Sequence, residues 1–244
     1  MKNAPLLNNI SIVLVDTKTP ANIGATARCM MNMGLSRLVL VEPPVDSSHE
    51  AKKLAAGADS ILDHAEVFST LKEAVADYGL VFGTSRHKGR LRKNIHAPRE
   101  AAQAIIPLLS KNKVAIVFGN EVNGLTRDDL SLCNEIIAIP SSDSFPSLNL
   151  SHAVMIMAYE LFLAAQARGV TAAKELAPVK IVEDFYEHLR TTLMQIEFLN
   201  KTEAERMMFT LRQLFGRSRL SGRDVAVLRG ILSAVERAAK RGDT

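Results

Sequence analysis

The sequence predicts an α/β protein with a largely parallel sheet, followed by a small all-helical C-terminal region. Short apolar runs rich in β-branched residues alternate with helical patterns over the first two thirds of the 244-residue chain, as in sheets covered by helices on both faces. Gly or Pro bounds most of these runs, which is typical of short buried strands. After Gly169 only patterns with helical spacing remain.

The first strand is predicted at Ile10–Val15, and Pro20 opens the helical pattern that follows it. Further strands are predicted at 37–42, 65–69, 79–83, 113–119 and 135–140. Helices are predicted near 22–33, 50–56, 70–78, 98–109, 127–133 and 151–168. The chain is therefore expected to divide into an α/β domain at 1–168, a linker at 169–178 and a helical extension at 179–244.

Apolar residues of the extension recur three and four positions apart, which predicts a small helical unit. The predicted apolar faces are Phe185, Leu189, Thr192, Ile196 and Leu199, then Met207, Leu211 and Leu214, then Val225, Leu228, Leu232 and Val235.

Composition is ordinary for a globular protein, with 47% hydrophobic and 23% charged residues, which excludes a disordered or collagen-like chain. Cys29 and Cys133 are too few for a disulfide framework and favour a reducing, cytoplasmic setting. The longest apolar stretch, at 153–165, contains Tyr159 and Glu160 and is shorter than the ~20 residues of a membrane span. Neither a membrane association nor a signal peptide is expected.

The surplus of positive charge lies in the C-terminal part of the chain. Residues 1–165 balance 16 Lys and Arg against 16 Asp and Glu, whereas residues 166–244 carry 14 against 10. Nine basic residues fall between Arg206 and Arg241, and a second basic cluster runs from Arg86 to Arg99. Two such patches in an otherwise neutral chain favour a polyanion held through its phosphates, and hence a nucleic acid.

Three segments that follow predicted strands are the candidate ligand loops, because ligands of open α/β sheets bind beyond the carboxyl ends of strands. These segments are Phe82–Ser85, Phe118–Leu125 and Ile139–Leu150. Neither the GxGxxG nor the GxxxxGK[ST] phosphate loop occurs, and 114–126 and 128–167 contain no Lys or Arg. A nucleoside without phosphates, which can itself carry positive charge, fits such loops better than a polyphosphate.

Each polar residue in these patterns also has a purely structural interpretation. Gly119 and Gly124 can serve a tight turn, Ser147 or Asn149 can cap the following helix, and Glu121 can be a solvated loop acid. Arg28 lies one turn past Gly24, where no side chain obstructs approach to the helix, and either points to solvent or faces an anionic partner. Taken one by one, these positions do not decide between the interpretations.

In combination, three motifs resemble those of the SPOUT-class RNA 2′-O-methyltransferases. They are Asn22–Arg28 (NIGATAR), Phe118–Leu125 (FGNEVNGL) and Ile139–Pro140 with Ser147–Leu150 (SLNL). The C-terminal LRQLFGRSRLSGRDVAVLRGIL also resembles the extension of one subgroup, the bacterial tRNA (cytidine/uridine-32) 2′-O-methyltransferases. This subgroup modifies ribose in the anticodon loop. Because the similarity also extends from the first strand through residue 165, the resemblance covers the whole chain.

The resemblance implies an S-adenosylmethionine-dependent enzyme that binds tRNA, forms a homodimer with the site at the subunit interface, and ties the C-terminal part of its sheet in a trefoil knot, a rare exception among folds. No metal and no DNA are expected. The cofactor-binding residues it implies are Thr84, Ser85, Arg86, Gly119, Ile139, Pro146, Ser147 and Leu148. The residues it places nearest the chemistry are Asn22, Arg28, Glu121, Ser147 and Asn149.

The family commonly assigns activation of the ribose hydroxyl to the motif arginine, here Arg28. A guanidinium is a poor proton acceptor, so we expect Arg28 to stabilise the developing alkoxide, with Ser147 orienting the hydroxyl or positioning a water and Glu121 as the rival base. The alternatives are a ribosomal RNA methyltransferase of the same class and an RNA-binding module without catalysis. A nucleotide-dependent oxidoreductase is disfavoured because the glycine fingerprint is missing.

Overall fold

The computed structural model describes residues 4–45, 48–85, 94–167, 173–200 and 203–242. The strands within these residues are β1 (Ile10–Val15), β2 (Arg37–Val41), β3 (Glu66–Phe68), β4 (Leu80–Thr84), β5 (Ile95–His96), β6 (Val114–Phe118) and β7 (Glu135–Ile137). The helices of the first part are α1 (Ala4–Leu7), α2 (Pro20–Asn32), α3 (Ser48–Ala55), α4 (Asp59–Asp63), α5 (Leu71–Ala74), α6 (Pro98–Ile105), α7 (Arg127–Leu132) and α8 (Leu150–Ala167). The last three are α9 (Val179–Gln195), α10 (Ala204–Gly216) and α11 (Gly222–Gly242).

The described strands form one sheet in the order β3-β2-β1-β6-β4-β7-β5, and every pairing in it is parallel. The register is regular, with Ile12 opposite both Leu38 of β2 and Ile116 of β6. This confirms the predicted parallel α/β architecture. Since β6, β4 and β7 are neighbours, the loops that follow them leave the same edge of the sheet side by side.

Alternate residues of each strand enter two separate apolar cores, one on each face of the sheet. Ile12 and Leu14 pack with residues of α2, α3, α6 and α8. Val13 and Val15 point the other way and pack with residues of α5 and α7. This two-sided burial explains why the strands appear in the sequence as continuous apolar runs.

Some elements differ from the prediction. Helices α1 and α4 and the two-residue strand β5 were not predicted, because such short elements carry too few residues to show a periodicity. The strand expected at 135–140 ends at Ile137. The helix expected at 70–78 ends at Ala74, and Tyr78 instead donates its hydroxyl to Ser11 Oγ of β1 at 2.7 Å.

The C-terminal helices pack around a core of their own, which confirms the predicted helical region. On α10, however, the buried side is Ala204 and Met208, with Leu211 and Phe215 packed beside them. The predicted face was wrong at its ends, since Met207 is 37% and Leu214 57% exposed. Adjacent apolar residues at 207–209 permit two helical faces, and only the packing against α9 and α11 selects one.

Part of the predicted basic surface is used inside the fold. Arg212 pairs with Glu183 and lies over the ring of Tyr186, and Arg219 pairs with Glu135. Arg99 pairs with Glu160 at 3.3 Å, while residues 86–93 of the second patch lie outside the described residues. The residues of the Arg206–Arg241 cluster that remain exposed without an ion pair to a described carboxylate include Arg206, Arg223, Arg229, Arg237 and Lys240.

Helix α8 is the one described helix whose length and hydropathy would suit a membrane span, with 39% of it buried in the fold. Its inner side, including Val154, Met157 and Leu161, packs on the sheet. Its outer side leaves Tyr159 48% and Leu163 38% exposed. The apolar character therefore serves the core on one side and remains open on the other.

Candidate functional site

A cavity of about 580 Å³ lies at the carboxyl ends of β4, β6 and β7, where the strand order places three loops side by side. The structure brings seven of the predicted cofactor residues together around it: Thr84, Ser85, Gly119, Ile139, Pro146, Ser147 and Leu148. The eighth, Arg86, lies outside the described residues. The volume suits a ligand the size of a nucleoside derivative.

The loop after β6 forms the tightest wall of the cavity. A Cβ on Gly119 would lie 2.1 Å from the carbonyl carbon of Gly124, so only glycine allows this approach. Gly124 has a φ of +71°, and the side chain of Asn120 accepts hydrogen bonds from the main-chain amides of Val122 and Asn123. The predicted role of both glycines in a tight turn therefore holds, and this turn shapes the cavity.

The loop after β4 is fixed to neighbouring strands, and the loop after β7 is closed by a hydrogen bond of its own. Thr84 Oγ1 donates to the Val117 carbonyl at 3.0 Å, and the Ser85 amide donates to the Ile137 carbonyl at 3.0 Å. In the loop after β7, Ser141 Oγ donates to the Pro146 carbonyl at 3.0 Å. Apolar side chains line much of the remaining wall: Leu125, Leu130, Ile139, Leu148 and Leu150. An uncharged aromatic ring fits such a wall.

A hydrogen-bonded chain links the three sequence motifs beside the cavity. Asn22 Nδ2 of α2 donates to Glu121 Oε1 at 2.7 Å, and Asn149 Nδ2 donates to Asn22 Oδ1 at 3.0 Å. Asn149 Oδ1 in turn accepts from the amide of Ser151 at 2.9 Å and from its hydroxyl at 2.7 Å. The capping interpretation is therefore right for Asn149, which also joins α8 to α2.

Glu121 is a fixed acceptor and not a solvated loop acid. Besides Asn22, its carboxylate accepts from the main-chain amides of Lys18 at 2.9 Å and Thr19 at 3.2 Å. Burial acts to raise the pKa of Glu121, but these hydrogen bonds to the charged form outweigh it and hold the pKa below its ordinary value. Glu121 is thus ionised at neutral pH with most of its acceptor capacity in use.

Ser147 and Arg28 lie apart from this hydrogen-bonded chain. Ser147 lines the cavity with an exposed side chain that makes no hydrogen bond within the described ranges. Arg28 is exposed, lies outside the cavity lining and has no ion pair with a described carboxylate. Six residues along α2, it faces about a third of a turn away from Asn22.

The space expected beside Gly24 is already filled. A Cβ at Gly24 would lie 1.9 Å from the carbonyl oxygen of Ala51, so this glycine allows α3 to pack closely on α2. It does not open the helix surface for a ligand next to Arg28.

Two of the cavity residues outside the predicted loops carry a charge or an aromatic ring. Arg127, the first residue of α7, lies with its Cζ 4.3 Å from the ring centroid of Phe209 of α10, and both line the cavity. Arg127 had a signal in the sequence, because it interrupts a segment from 114 to 167 otherwise free of Lys and Arg. Phe209 had none, because its position depends on how the C-terminal helices pack.

Three adjacent strand ends of the parallel sheet enclose one cavity, and Asn22 is hydrogen-bonded to Glu121 beside it. This arrangement is expected of a SPOUT-class methyltransferase. Residues 9–159 match the SpoU rRNA methylase family, and residues 180–244 match the C-terminal domain of the tRNA methyltransferase TrmJ. The chain belongs to the SpoU methylase family and is a methyltransferase.

Similar proteins resemble it over nearly the whole chain. The tRNA (cytidine/uridine/adenosine-2′-O-)-methyltransferase TrmJ of Pseudomonas aeruginosa is 40% identical over 248 residues, which cover 96% of each chain. The tRNA (cytidine/uridine-2′-O-)-methyltransferase TrmJ of Salmonella typhimurium is 39% identical over 96% of this chain and 99% of the relative. The crystal structure of TrmJ from Z. mobilis superposes with a TM-score of 0.81 at 35% identity, covering 93% of this chain and 98% of the other.

Proposed function

We propose that this chain transfers a methyl group from S-adenosylmethionine to the ribose 2′-hydroxyl of nucleotide 32, a cytidine or uridine, in the anticodon loop of tRNA. We also propose that it acts in the cytoplasm as a homodimer. The observation that carries the proposal is the meeting of seven predicted donor-binding residues, from three loops separate in sequence, around one cavity. The names of its relatives support the choice of tRNA as substrate.

The residues of the cavity suit this donor. When bound, S-adenosylmethionine supplies an electrophilic methyl group on a positively charged sulfur. Apolar side chains such as Ile139 and Leu148 would hold its adenine, and the close turn at Gly119 leaves main chain at the wall. The ionised Glu121 lies in the same wall and favours a cationic ligand. The chain thus binds and orients, and alignment alone can lower a barrier by ~7 to 11 kcal/mol.

On the acceptor side we assign Arg28 to stabilise the negative charge that develops on the ribose oxygen. A guanidinium stays protonated and has no lone pair available to accept a proton, so electrostatic stabilisation is the task it can perform. Ser147, exposed at the cavity, would orient the hydroxyl. Glu121 is the weaker candidate base, because its carboxylate is already held by three hydrogen bonds.

Replacement of Arg28 tests this assignment. Arg28→Ala is expected to lower the single-turnover methylation rate by about 10²- to 10³-fold, the range measured when one charge-stabilising donor is removed. Arg28→Lys keeps the charge and should retain part of the rate, while donor affinity stays unchanged in both variants. A wild-type rate for Arg28→Ala would eliminate both the electrostatic and the base role.

The exposed position of Arg28 supports the proposed dimer. It lies outside its own cavity lining, and Met31, one turn along α2, is 41% exposed, as are apolar residues on the outer side of α8. A second copy that covers this surface would receive Arg28 at its own cavity.

Mixed dimers test whether Arg28 serves the partner. Pairing an Arg28→Ala subunit with a Ser147→Ala subunit leaves one complete site only if Arg28 acts across the interface. We expect about half of the wild-type activity from purified mixed dimers and almost none from either parent. Inactive mixed dimers would place Arg28 in the cavity of its own chain.

Mapping of ribose methylation tests the substrate. tRNA and ribosomal RNA from a deletion strain would be compared with RNA from strains complemented by the wild type and by Arg28→Ala. We expect methylation at position 32 of tRNA to disappear on deletion and to return only with the wild type. Loss of a ribosomal RNA methylation instead would favour the ribosomal alternative. Purified tRNAs with each of the four bases at position 32 would define the base preference, which differs between the names of the two relatives.

A further inference from the structure

Arg127 is the sole basic side chain among the described residues that line the cavity. It makes no ion pair with any described carboxylate, so its charge is not neutralised within that part of the chain. Glu121, the single acid among the same lining residues, accepts hydrogen bonds from Lys18, Thr19 and Asn22 and forms no ion pair with Arg127. The described wall of the cavity therefore offers one available positive charge, that of Arg127.

Phe209 fixes this charge from the C-terminal region. Its ring lies 4.3 Å from Arg127 Cζ, within the range of a cation–π interaction, and is only partly buried. Neighbouring Met208 is buried in the core of the C-terminal helices, which anchors this turn of α10. Because both Arg127 and Phe209 line the cavity, the C-terminal helices supply part of its wall.

We propose that Arg127, held by the ring of Phe209, binds the α-carboxylate of the methyl donor. The inference rests on the donor site proposed above. Apart from the sulfonium, the donor carries an ammonium and one carboxylate, and only the carboxylate attracts a guanidinium. The C-terminal helices thus take part in donor binding.

Removal of the carboxylate from the ligand gives a direct test. Isothermal titration calorimetry would compare S-adenosylmethionine with its decarboxylated analogue, which keeps the sulfonium and the adenosine. Arg127→Ala should weaken the intact donor by about 10- to 100-fold, as expected for a hydrogen bond between charged groups, and leave the analogue nearly unchanged. Arg127→Lys should recover part of the affinity for the intact donor.

Phe209 provides the second arm of the test. Phe209→Ala should cause a smaller loss of affinity with the same dependence on the carboxylate, and Phe209→Tyr should retain wild-type affinity. Phe198→Ala is the matched control, because Phe198 is an aromatic residue of the same region that is 60% exposed and outside the cavity. Circular dichroism would establish that each variant is folded.

Other outcomes would overturn the proposal. Equal losses for both ligands would reduce Arg127 to a packing role, and unchanged affinity for both would remove it from the donor site. A loss of tRNA affinity alone in filter binding would make Arg127 a phosphate contact. If the difference in affinity between the two ligands disappeared in Arg86→Ala but persisted in Arg127→Ala, Arg86 would be the residue that binds the carboxylate. A protein that shows the Arg127 effect but does not methylate position 32 would contradict the proposed substrate and leave this inference intact.

Discussion

At the scale of single residues, the site depends on side chains that hold each other in place. Asn22 donates to Glu121 with its amide nitrogen and accepts from Asn149 with its amide oxygen, so both ends of the group are engaged. Asn149 repeats this pattern between Asn22 and Ser151. A substitution at one of these residues leaves a partner without its hydrogen bond, which costs more than the loss of an isolated surface contact.

Glu121→Gln is the residue-scale prediction. The amide nitrogen of Gln cannot accept, so one of the Lys18, Thr19 and Asn22 donors loses its partner, at an expected cost of about 1 to 2 kcal/mol at neutral pH. The pKa of Glu121 is lowered on folding, so its contribution is complete above the ordinary value of 4.5 and is lost as the pH falls through the folded value.

Urea unfolding of the wild type and Glu121→Gln at neutral and at acidic pH measures this effect. The difference in the free energy of unfolding should be largest at neutral pH and shrink on acidification. A difference that stayed constant over this range would show that the charge of Glu121 is not what the three donors require.

At the scale of elements, the site is built by the adjacency of β6, β4 and β7, which are far from consecutive in the chain. Parallel neighbours place their carboxyl ends at one edge of the sheet, so the loops at 84–85, 119–125 and 138–149 line the same cavity. The tight turn between Gly119 and Gly124 is the narrowest part of this arrangement.

Gly119→Ala tests the turn. The added Cβ would overlap the main chain of Gly124, which cannot give way as a flexible side chain would, so we expect destabilisation of about 1 to 3 kcal/mol and a strong loss of donor affinity. Gly230→Ala is the control, since nothing lies within 4 Å of a Cβ there. In the interior of α11 it should stabilise by about 0.5 to 1 kcal/mol. Thermal melting and calorimetry would measure both, and unchanged donor binding in Gly119→Ala would contradict the expected role.

Much of this architecture could be predicted because its signals are local. The strands β1 and β6 are runs rich in β-branched residues, and Pro20 marks the start of α2 at a residue that the sequence shows directly. The order of strands is not local, and neither is the face that α10 buries, because Met207 and Met208 are equally apolar. For the same reason, the sequence could predict Glu121 as a site residue but not Phe209, which reaches the cavity only through tertiary packing.

At the scale of the whole molecule, α10 joins the two edges of the sheet. Phe209 lies at the cavity beyond the carboxyl ends, while Arg219, just past the helix, pairs with Glu135 at the amino end of β7. From Phe209 to its end at Gly216, α10 rises about 10 Å, and residues 217–219 continue the chain to Arg219. The C-terminal helices are thereby held at the cavity by one contact and at the opposite edge by another.

The second contact contains a fully buried acid. The side chain of Glu135 has no exposed surface; Arg219 Nε donates to one oxygen, and His96 Nε2 lies 2.6 Å from the other. Arg219 also has a φ of +44°, in the left-handed region that favours glycine, so local backbone preference does not explain an arginine here. The positive charge of Arg219 explains the arginine at this position, since a buried carboxylate requires a partner.

Arg219→Ala is the prediction at this scale. It leaves the carboxylate of Glu135 buried with His96 as its one remaining ion-pair partner among the described residues, for which we expect a loss of about 3 to 5 kcal/mol in the free energy of unfolding. The double variant Arg219→Ala with Glu135→Leu removes both charges and should be more stable than Arg219→Ala alone, because no charge is then left buried without its partner. Urea unfolding of the four proteins completes the cycle.

If α10 couples the two edges, Arg219→Ala should also weaken donor binding, because the wall that Phe209 supplies is less firmly held. A loss below about 1 kcal/mol, in the range of an exposed ion pair, would mean that other contacts dock the C-terminal helices and that the two edges are independent.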